Sequence, residues 1–571
     1  MCFGLVGSTV IGGGRPIPDE LRATQDGLTF KVFRGDGCAL LCFDVDERLK
    51  DDLAGFAIEY VHPSGSRRDV RNRLNFAERV TAETTPEDRR WTPTSEAPLQ
   101  TFRWVHFPRD VEPGTFTYKA TAMLFKRRSQ TALERGPAVE VPLDLLEEGF
   151  SRFQMAFTRG YLSSQAYATR FRNAPFQPRR PTIDFDTSGY EKRWEWLGFN
   201  ARRVLFDFLR EAITQPSLSL DVFAYDLNEP DFIRALVQLG PRLRLFLDDS
   251  HEHSKPGARE LAARAALEAS AGAANVKVGH FGRFAHDKVL IQRRGARALK
   301  VLSGSANFSI RGLYVQSNNV FVFDDPETAA LYARAFKHAW DGANAFNTSE
   351  IASRWFGVRD PELPRMFISF APHRRAEVSL TRVAEAIRDA RSSVLYSIMN
   401  IDGTGDVLKE IRALPRRDLY AFGTTQSTSG SLTVAASGRR AVSVPFSFLK
   451  AKVPPPFREE IAGGLGQVIH HKFVVADFND LEPVVFAGSS NLAAGGETLN
   501  GDNLVAFYDR RIASIYAVEA VRLIDHYRFR AAMRTATNVK PLRLKRRSER
   551  WAATFYDPRN PRSRERLLFV R

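Results

Sequence analysis

The stretch His470-His471-Lys472, followed by Asp477, by Gly488-Ser489-Ser490-Asn491 and by Asn500-Gly501-Asp502-Asn503, has an earlier counterpart in the same chain. There His286-Asp287-Lys288 is followed by Gly304-Ser305-Ala306-Asn307 and by Gln316-Ser317-Asn318-Asn319, each marked position displaced by 184 residues without a gap. A lone His-x-Lys triplet is noise. Two collinear copies of His-x-Lys, Gly-Ser-x-Asn and a polar tetrad at one spacing mark a repeated half of a functional site.

Working outward from the earlier copy, strands are expected at Leu220–Tyr225, Leu243–Leu247, Asn275–His280, His286–Gln292, Ala298–Ser303 and Asn319–Phe323. Helices are expected at Asp231–Leu239, Ala258–Ala271 and Glu327–Trp340, so the half is an α/β layered unit. The later copy repeats it with strands at Ser393–Met399, Leu419–Phe422, Val444–Leu449, His470–Ala476, Pro483–Ala487 and Asn503–Tyr508. Its closing helix keeps register, since Leu331-Tyr332-Ala333 recurs as Ile515-Tyr516-Ala517. The first strands of the two halves lie 172 or 173 residues apart, so the later half carries about a dozen extra residues, expected as a loop in 423–438 or 451–457.

Residues two apart on a strand share a face, which pairs His286 with Lys288 and His470 with Lys472 and turns Asp287 and His471 away. An ammonium beside an imidazole suits phosphate chemistry: one neutralises a non-bridging oxygen while the other meets phosphorus or the leaving oxygen. A Gly-Ser-x-Asn turn at the end of a neighbouring strand offers further donors. In-line displacement needs a nucleophile on one side and a proton donor on the other, so both halves are required.

Over Leu218–Tyr527 these motifs resemble the phospholipase D superfamily and its paired HKD motifs. The resemblance implies a pseudo-twofold fold of two α/β sandwich halves and cleavage of phosphodiester bonds through a phosphohistidine, with neither metal nor cofactor. Carried over by position, His286 and His470 are the nucleophile and general acid. Lys288, Lys472, Asn307 and Asn491 would hold phosphoryl oxygens, with Gly304, Ser305, Gly488 and Ser489 as supporting substrate contacts.

Two departures stand out. The acidic residue five after the lysine is Asp477 in the later copy but Arg293 in the earlier one, a difference expected to touch scaffold contacts more than chemistry. The acidic residue before the last Asn of the tetrad is Asp502 in the later copy but Asn318 in the earlier one. Because a carboxylate stabilises imidazolium and an amide does not, the expectation is that His470 rests protonated as the acid and His286 neutral as the nucleophile.

The rest of the chain sets the context. At 571 residues several domains are expected: a β-sandwich accessory domain at 1–150, a linker and helix at 151–215, halves at 216–345 and 360–535, and a basic tail at 536–571. Short runs at Leu28–Phe33, Ala39–Val45, Ala54–Val61, Phe102–Phe107, Thr115–Leu124 and Ala138–Val141 point to an immunoglobulin- or fibronectin-like sandwich. Tyr190–Thr214 has helical periodicity. The acidic group Asp44, Asp46, Glu47, Asp51 and Asp52 reads as a solvated turn in preference to a calcium loop. Asp248, Asp249, His251, Glu252 and His253 contain metal-ligand types without metal-site spacing, and Gly4–Gly14 lacks the Lys-Ser/Thr of a P-loop.

Cys2, Cys38 and Cys42 make no disulfide framework, no apolar run is long enough to span a bilayer, and the start lacks a basic leader, so a soluble, cytoplasmic, monomeric protein is expected. The formal net charge is +16, and the tail holds eleven Lys or Arg against Glu549, Asp557 and Glu565. Such a charge suits an anionic polymer or an anionic membrane surface. Within the tail, Trp551, Phe555 and Tyr556 either stack bases or dock the tail onto a core, docking being favoured. The expected substrate is therefore a phosphodiester, nucleic acid ahead of a phospholipid head group, with a non-catalytic binder of anionic ligands as the other class.

Overall fold

The computed structural model describes residues 20–84, 90–146, 150–426, 431–436, 441–445, 456–457 and 469–571. Cys2, Gly4–Gly14 and most of 451–457 lie outside them, as do 427–430, 437–440 and 446–449 of the expected loop and strand. Two compact units result: Met1–Glu78 with Trp91–Gly149 and Arg543–Arg571, and Arg79–Arg90 with Phe150–Leu542.

The described part of the first unit holds two four-stranded antiparallel sheets. One runs Glu20–Gln25, Leu28–Arg34, Ala39–Val45, Arg103–His106; the other Leu133–Asp144, Thr115–Phe125, Leu53–Val61, Arg67–Asp69. Leu28, Phe30 and Val32 alternate inward against Leu41, Phe43 and Val45. The strand Glu20–Gln25 escaped the sequence reading, although Asp26-Gly27, both at positive φ, is a strong hairpin signal.

From Arg543 onward the basic tail is part of this unit, not an appendage. Trp551 and Phe555 enter the sandwich core and pack on Phe102 with ring centroids 5.4 and 4.8 Å away. The Trp551 indole N–H donates to Leu53 O at 2.7 Å, and the Tyr556 hydroxyl to Val45 O at 2.7 Å. Part of the tail's charge is neutralised in place: Arg566 pairs with Asp44, Arg547 with Asp52, and Arg543 with Glu549. The acidic group is thus in part a landing surface for arginines. Trp551→Ala is expected to cost about 3–5 kcal/mol through the cavity it leaves, read as an earlier unfolding transition of this unit in denaturant titration.

In the second unit the segment expected as a linker supplies an edge strand, Phe153–Phe157. It opens a seven-stranded sheet that continues through Asn319–Phe323, Arg297–Gly304, Val289–Arg294, Ser219–Ala224, Leu243–Asp248 and Val276–Gly279. The second sheet begins Phe356–Val358 and Met366–Ala371. It continues in the same order through Asn500–Phe507, Val484–Gly488, Phe473–Ala476, Ser393–Asn400 and Tyr420–Gln426.

The sheets part company at the far edge. In the first, helix Arg259–Ala271 crosses over to a parallel strand. In the second, Tyr420–Gln426 turns back into antiparallel Ser431–Ala436 and then Val442–Pro445. Where a loop was expected in 423–438, the described residues are therefore strand.

Candidate active site

Both His-x-Lys triplets sit just ahead of a strand rather than on one, since the ladders begin at Val289 and Phe473. Local bonds hold them. Lys288 Nζ folds back on His286 O, and Lys472 Nζ donates to His470 O at 2.8 Å, keeping each ammonium beside its imidazole. The intervening residues do face elsewhere: Asp287 accepts from Asn503 Nδ2 at 2.7 Å, and His471 Nε2 meets Glu519 Oε1 at 2.9 Å.

The two halves then exchange residues. Phe284–Ala285 pairs in parallel with Asn500-Gly501, and the repeat-related bridge joins Ile469, the counterpart of Ala285, to Ser317, the counterpart of Gly501. This brings His286 Nδ1 to Asp502 Oδ1 at 2.7 Å and His470 Nδ1 to Asn318 Oδ1 at 2.9 Å. The repeated tyrosines complete the exchange, Tyr516 OH bonding Asn319 Nδ2 and Tyr332 OH bonding Asn503 Oδ1 at 3.3 Å. The two imidazoles come to lie with centroids 6.4 Å apart and planes at 62°. That is close to the span of a phosphorus flanked by reacting atoms about 3–3.5 Å to either side.

The exchange corrects the expected pairing of Asp502 with His470: the carboxylate belongs to His286. Burial pushes the Asp502 carboxyl up, but His286 and Lys288 outweigh it and hold it below the usual range. An ionised carboxylate only accepts, so His286 Nδ1 carries the proton and Nε2 keeps its lone pair. Burial and Lys288 bring His286 down to about 4, against the pull of Asp502.

His470 is shifted in the same direction. Burial, with Lys472 and Lys288 nearby, holds it well below its ordinary value. Its Nδ1 faces Ser305 O at 3.1 Å and the Asn318 carbonyl oxygen, whose amide is oriented by its own donation to Gly312 O. Burial also draws Lys288 down to about 8 and Lys472 well below the lysine range.

The Gly-Ser-x-Asn turns divide their work differently from expectation. Ser305 N donates to Asn319 O at 3.0 Å and Ser305 Oγ to Asn318 Oδ1 at 2.9 Å, while Ser489 N donates to Asn503 O at 3.0 Å. The serines thus pin the tetrads instead of offering these donors to a ligand. Gly304 and Gly488 permit the same contact, because a Cβ would meet Asn319 O at 2.4 Å or Asn503 O at 2.3 Å. Among the described residues the buried carbonyl oxygens of Asn307 and Asn491 lack hydrogen-bond partners. Asp477 caps the strand Ser393–Asn400 by accepting from the N–H groups of Arg391, Ser392 and Ser393 at 2.8–3.0 Å, and Arg293 pairs with Asp221 at 2.7 Å. Both lie in scaffold contacts.

Sequence reasoning missed Tyr225 and Asp226. The Tyr225 ring lies 4.8 Å from the His286 ring, and Lys288 Nζ stands 4.8 Å from its centre. Asp226 Oδ2 accepts from Asn307 Nδ2 at 2.6 Å. The available signal was position, since both follow directly on strand Ser219–Ala224, and carboxyl ends of strands in open α/β sheets line sites. The metal-like group does not converge: Asp249 pairs with His280, Glu252 with Lys255 and, at 3.8 Å, with His251, while Asp248 meets His253 separately.

Residues 209–340 match a family model described as cardiolipin synthase, PLD-like domain. No curated protein matches the chain. Among solved structures it is similar to polyphosphate kinase from Porphyromonas gingivalis, with 13% identity over 61% of this chain and 50% of that one and a TM-score of 0.34. It is also similar to Nuc, a phospholipase D family member from Salmonella typhimurium, with 25% identity over 24% of this chain and 86% of that one and a TM-score of 0.20. A third is yeast tyrosyl-DNA phosphodiesterase, with 13% identity over 54% of this chain and 88% of that one and a TM-score of 0.30. The chain spans half the length of the polyphosphate kinase.

Proposed function

We propose that the chain, whose residues 209–340 match the PLD-like family model, works as a phospholipase D superfamily enzyme that hydrolyses phosphodiester bonds by double displacement, with nucleic acid as the substrate. The observation that carries the reading is the exchange at the site. Each motif histidine is held through Nδ1 by the tetrad of the other half, with a lysine beside each ring. The same exchange supports a pseudo-twofold arrangement in which one chain supplies both halves.

His286 Nε2 attacks phosphorus, and Asp502 stabilises the positive charge that develops on the ring. The phosphodiester brings a negative charge beside His470 and raises its pKa. His470 thereby enters the reaction carrying the proton that it gives to the leaving oxygen. In the second step the neutral His470 takes a proton from water, which attacks the phosphohistidine. Lys288, Lys472, Asn307 and Asn491 hold the non-bridging oxygens, so the positive charge comes from side chains and no metal enters the step.

The net charge of +16 favours nucleic acid, a polyanion along its whole length, over a zwitterionic lipid such as phosphatidylcholine, though an anionic membrane surface would suit it too. No helix among the described residues is long and apolar enough to cross a membrane. The test places labelled single-stranded DNA and phosphatidylcholine vesicles side by side in excess EDTA, with His286→Ala as background. Cleavage of DNA is expected. Cleavage of lipid alone would move the same residues to a phospholipid substrate, and binding of either without cleavage would make the protein a binder of anionic ligands.

A further inference from the structure

His253 lies between two carboxylates, Nε2 at 2.8 Å from Asp226 Oδ1 and Nδ1 at 2.8 Å from Asp248 Oδ1. Each carboxylate reaches onward with its second oxygen. Asp226 Oδ2 accepts from the Asn307 amide at 2.6 Å, and Asp248 Oδ2 accepts from the peptide N–H of Ala285, the neighbour of His286, at 2.6 Å. A continuous hydrogen-bonded chain therefore links the Asn of the first Gly-Ser-x-Asn turn to the backbone that carries the first motif histidine. We propose that His253 is a positioning residue which, as an imidazolium clamped between Asp226 and Asp248, sets the Asn307 amide and the His286 backbone for phosphate. The proposal rests on the phosphoryl-transfer reading of His286 and Asn307.

The geometry calls for the charge, because Asp226 and Asp248, held below the usual carboxylate range in spite of their burial, only accept. A neutral imidazole has one N–H, so one of the two contacts would set a ring lone pair against a carboxylate oxygen; with both nitrogens protonated, each contact is a hydrogen bond. Burial works against that charge, but the carboxylates outweigh it and hold His253 up to about 10. The same charge offsets one of two carboxylates that would otherwise oppose an anionic substrate near Lys288. The anchoring is also directional: one Nδ2 hydrogen of Asn307 is committed to Asp226, which leaves the second as the amide's donor to a phosphoryl oxygen.

The experiment measures KM and kcat for a chromogenic phosphodiester, and the dissociation constant of inorganic phosphate by calorimetry, for wild type, His253→Gln, Asn307→Ala and the double variant. His253→Gln is expected to weaken phosphate binding and raise KM by about tenfold, the weight of one charge-assisted hydrogen bond. kcat should fall less. If His253 acts through Asn307, the double variant binds phosphate no more weakly than Asn307→Ala, whereas a merely structural residue gives multiplying effects. Should His253→Gln not fold, Asp226→Asn, which keeps the volume and removes the charge, carries the same comparison. Wild-type phosphate affinity in the His253 variant, or multiplying effects, overturns the proposal. Undiminished turnover in His286→Ala overturns the phosphoryl-transfer reading instead, so the two failures are distinguishable.

Discussion

His470→Ala is expected to release a single-turnover burst of nitrophenol from bis(4-nitrophenyl) phosphate and then to stop, while His286→Ala gives no burst. Nitrophenolate leaves without a proton, so the first displacement needs only a nucleophile, and His286 retains Asp502 at 2.7 Å in the His470 variant. The second step needs a base for water, which the variant lacks. Steady-state turnover should therefore fall by about 10⁴-fold in either variant, with different pre-steady-state behaviour. Mass spectrometry of the stalled protein should find the phosphoryl group on His286. A burst from His286→Ala, or an adduct on His470 in that variant, would reverse the assignment.

Exchanging the two partners of the histidines gives the second large effect. Asp502→Asn removes the carboxylate bonded to His286, and its amide N–H₂ can turn toward Nδ1 and move the ring proton to Nε2, taking away the attacking lone pair. A loss in kcat of about 10²–10³-fold is expected. The acid limb of the pH profile reports His286 passing from charged to neutral; losing the carboxylate lowers its pKa below the wild-type value of about 4, so that limb moves to lower pH. Asn318→Asp does the opposite to His470. A carboxylate raises the pKa of the acid, which stays protonated to higher pH, and the basic limb of kcat moves up by about one to two units. Profiles that coincide with wild type would sink the assignment of partners.

The sheets of the second unit were legible because their strands are short buried runs: the expected Leu243–Leu247 and Asn275–His280 lie within a residue of the observed strands or contain them. The sandwich strand Ala39–Val45 was read with its exact ends. What stayed hidden was contact between residues far apart in sequence. The repeat tied Asp502 to the neighbouring motif of its own half, and nothing local says that tetrads are exchanged between halves. Tyr332 and Tyr516 were visible as a repeated triplet, yet their role as hydroxyl partners of Asn503 and Asn319 depends on that same exchange. The role of His253 was not legible because ligand chemistry and ion-pair chemistry draw on the same side chains. Only the direction in which Asp248, Asp249, Glu252 and His253 point separates them.

The crossing of partners has a consequence for how such a site can specialise. In an assembly of two identical subunits, every substitution is made twice, and both histidines would receive the same companion. Fusing the copies end to end breaks that bond between mirror positions, so residue 318 can be an amide while residue 502 remains an acid. On the proposed mechanism one imidazole then becomes the electron-pair donor and the other the proton carrier. The duplication supplies the geometry, and the single covalent chain supplies the freedom to make its two poles unequal.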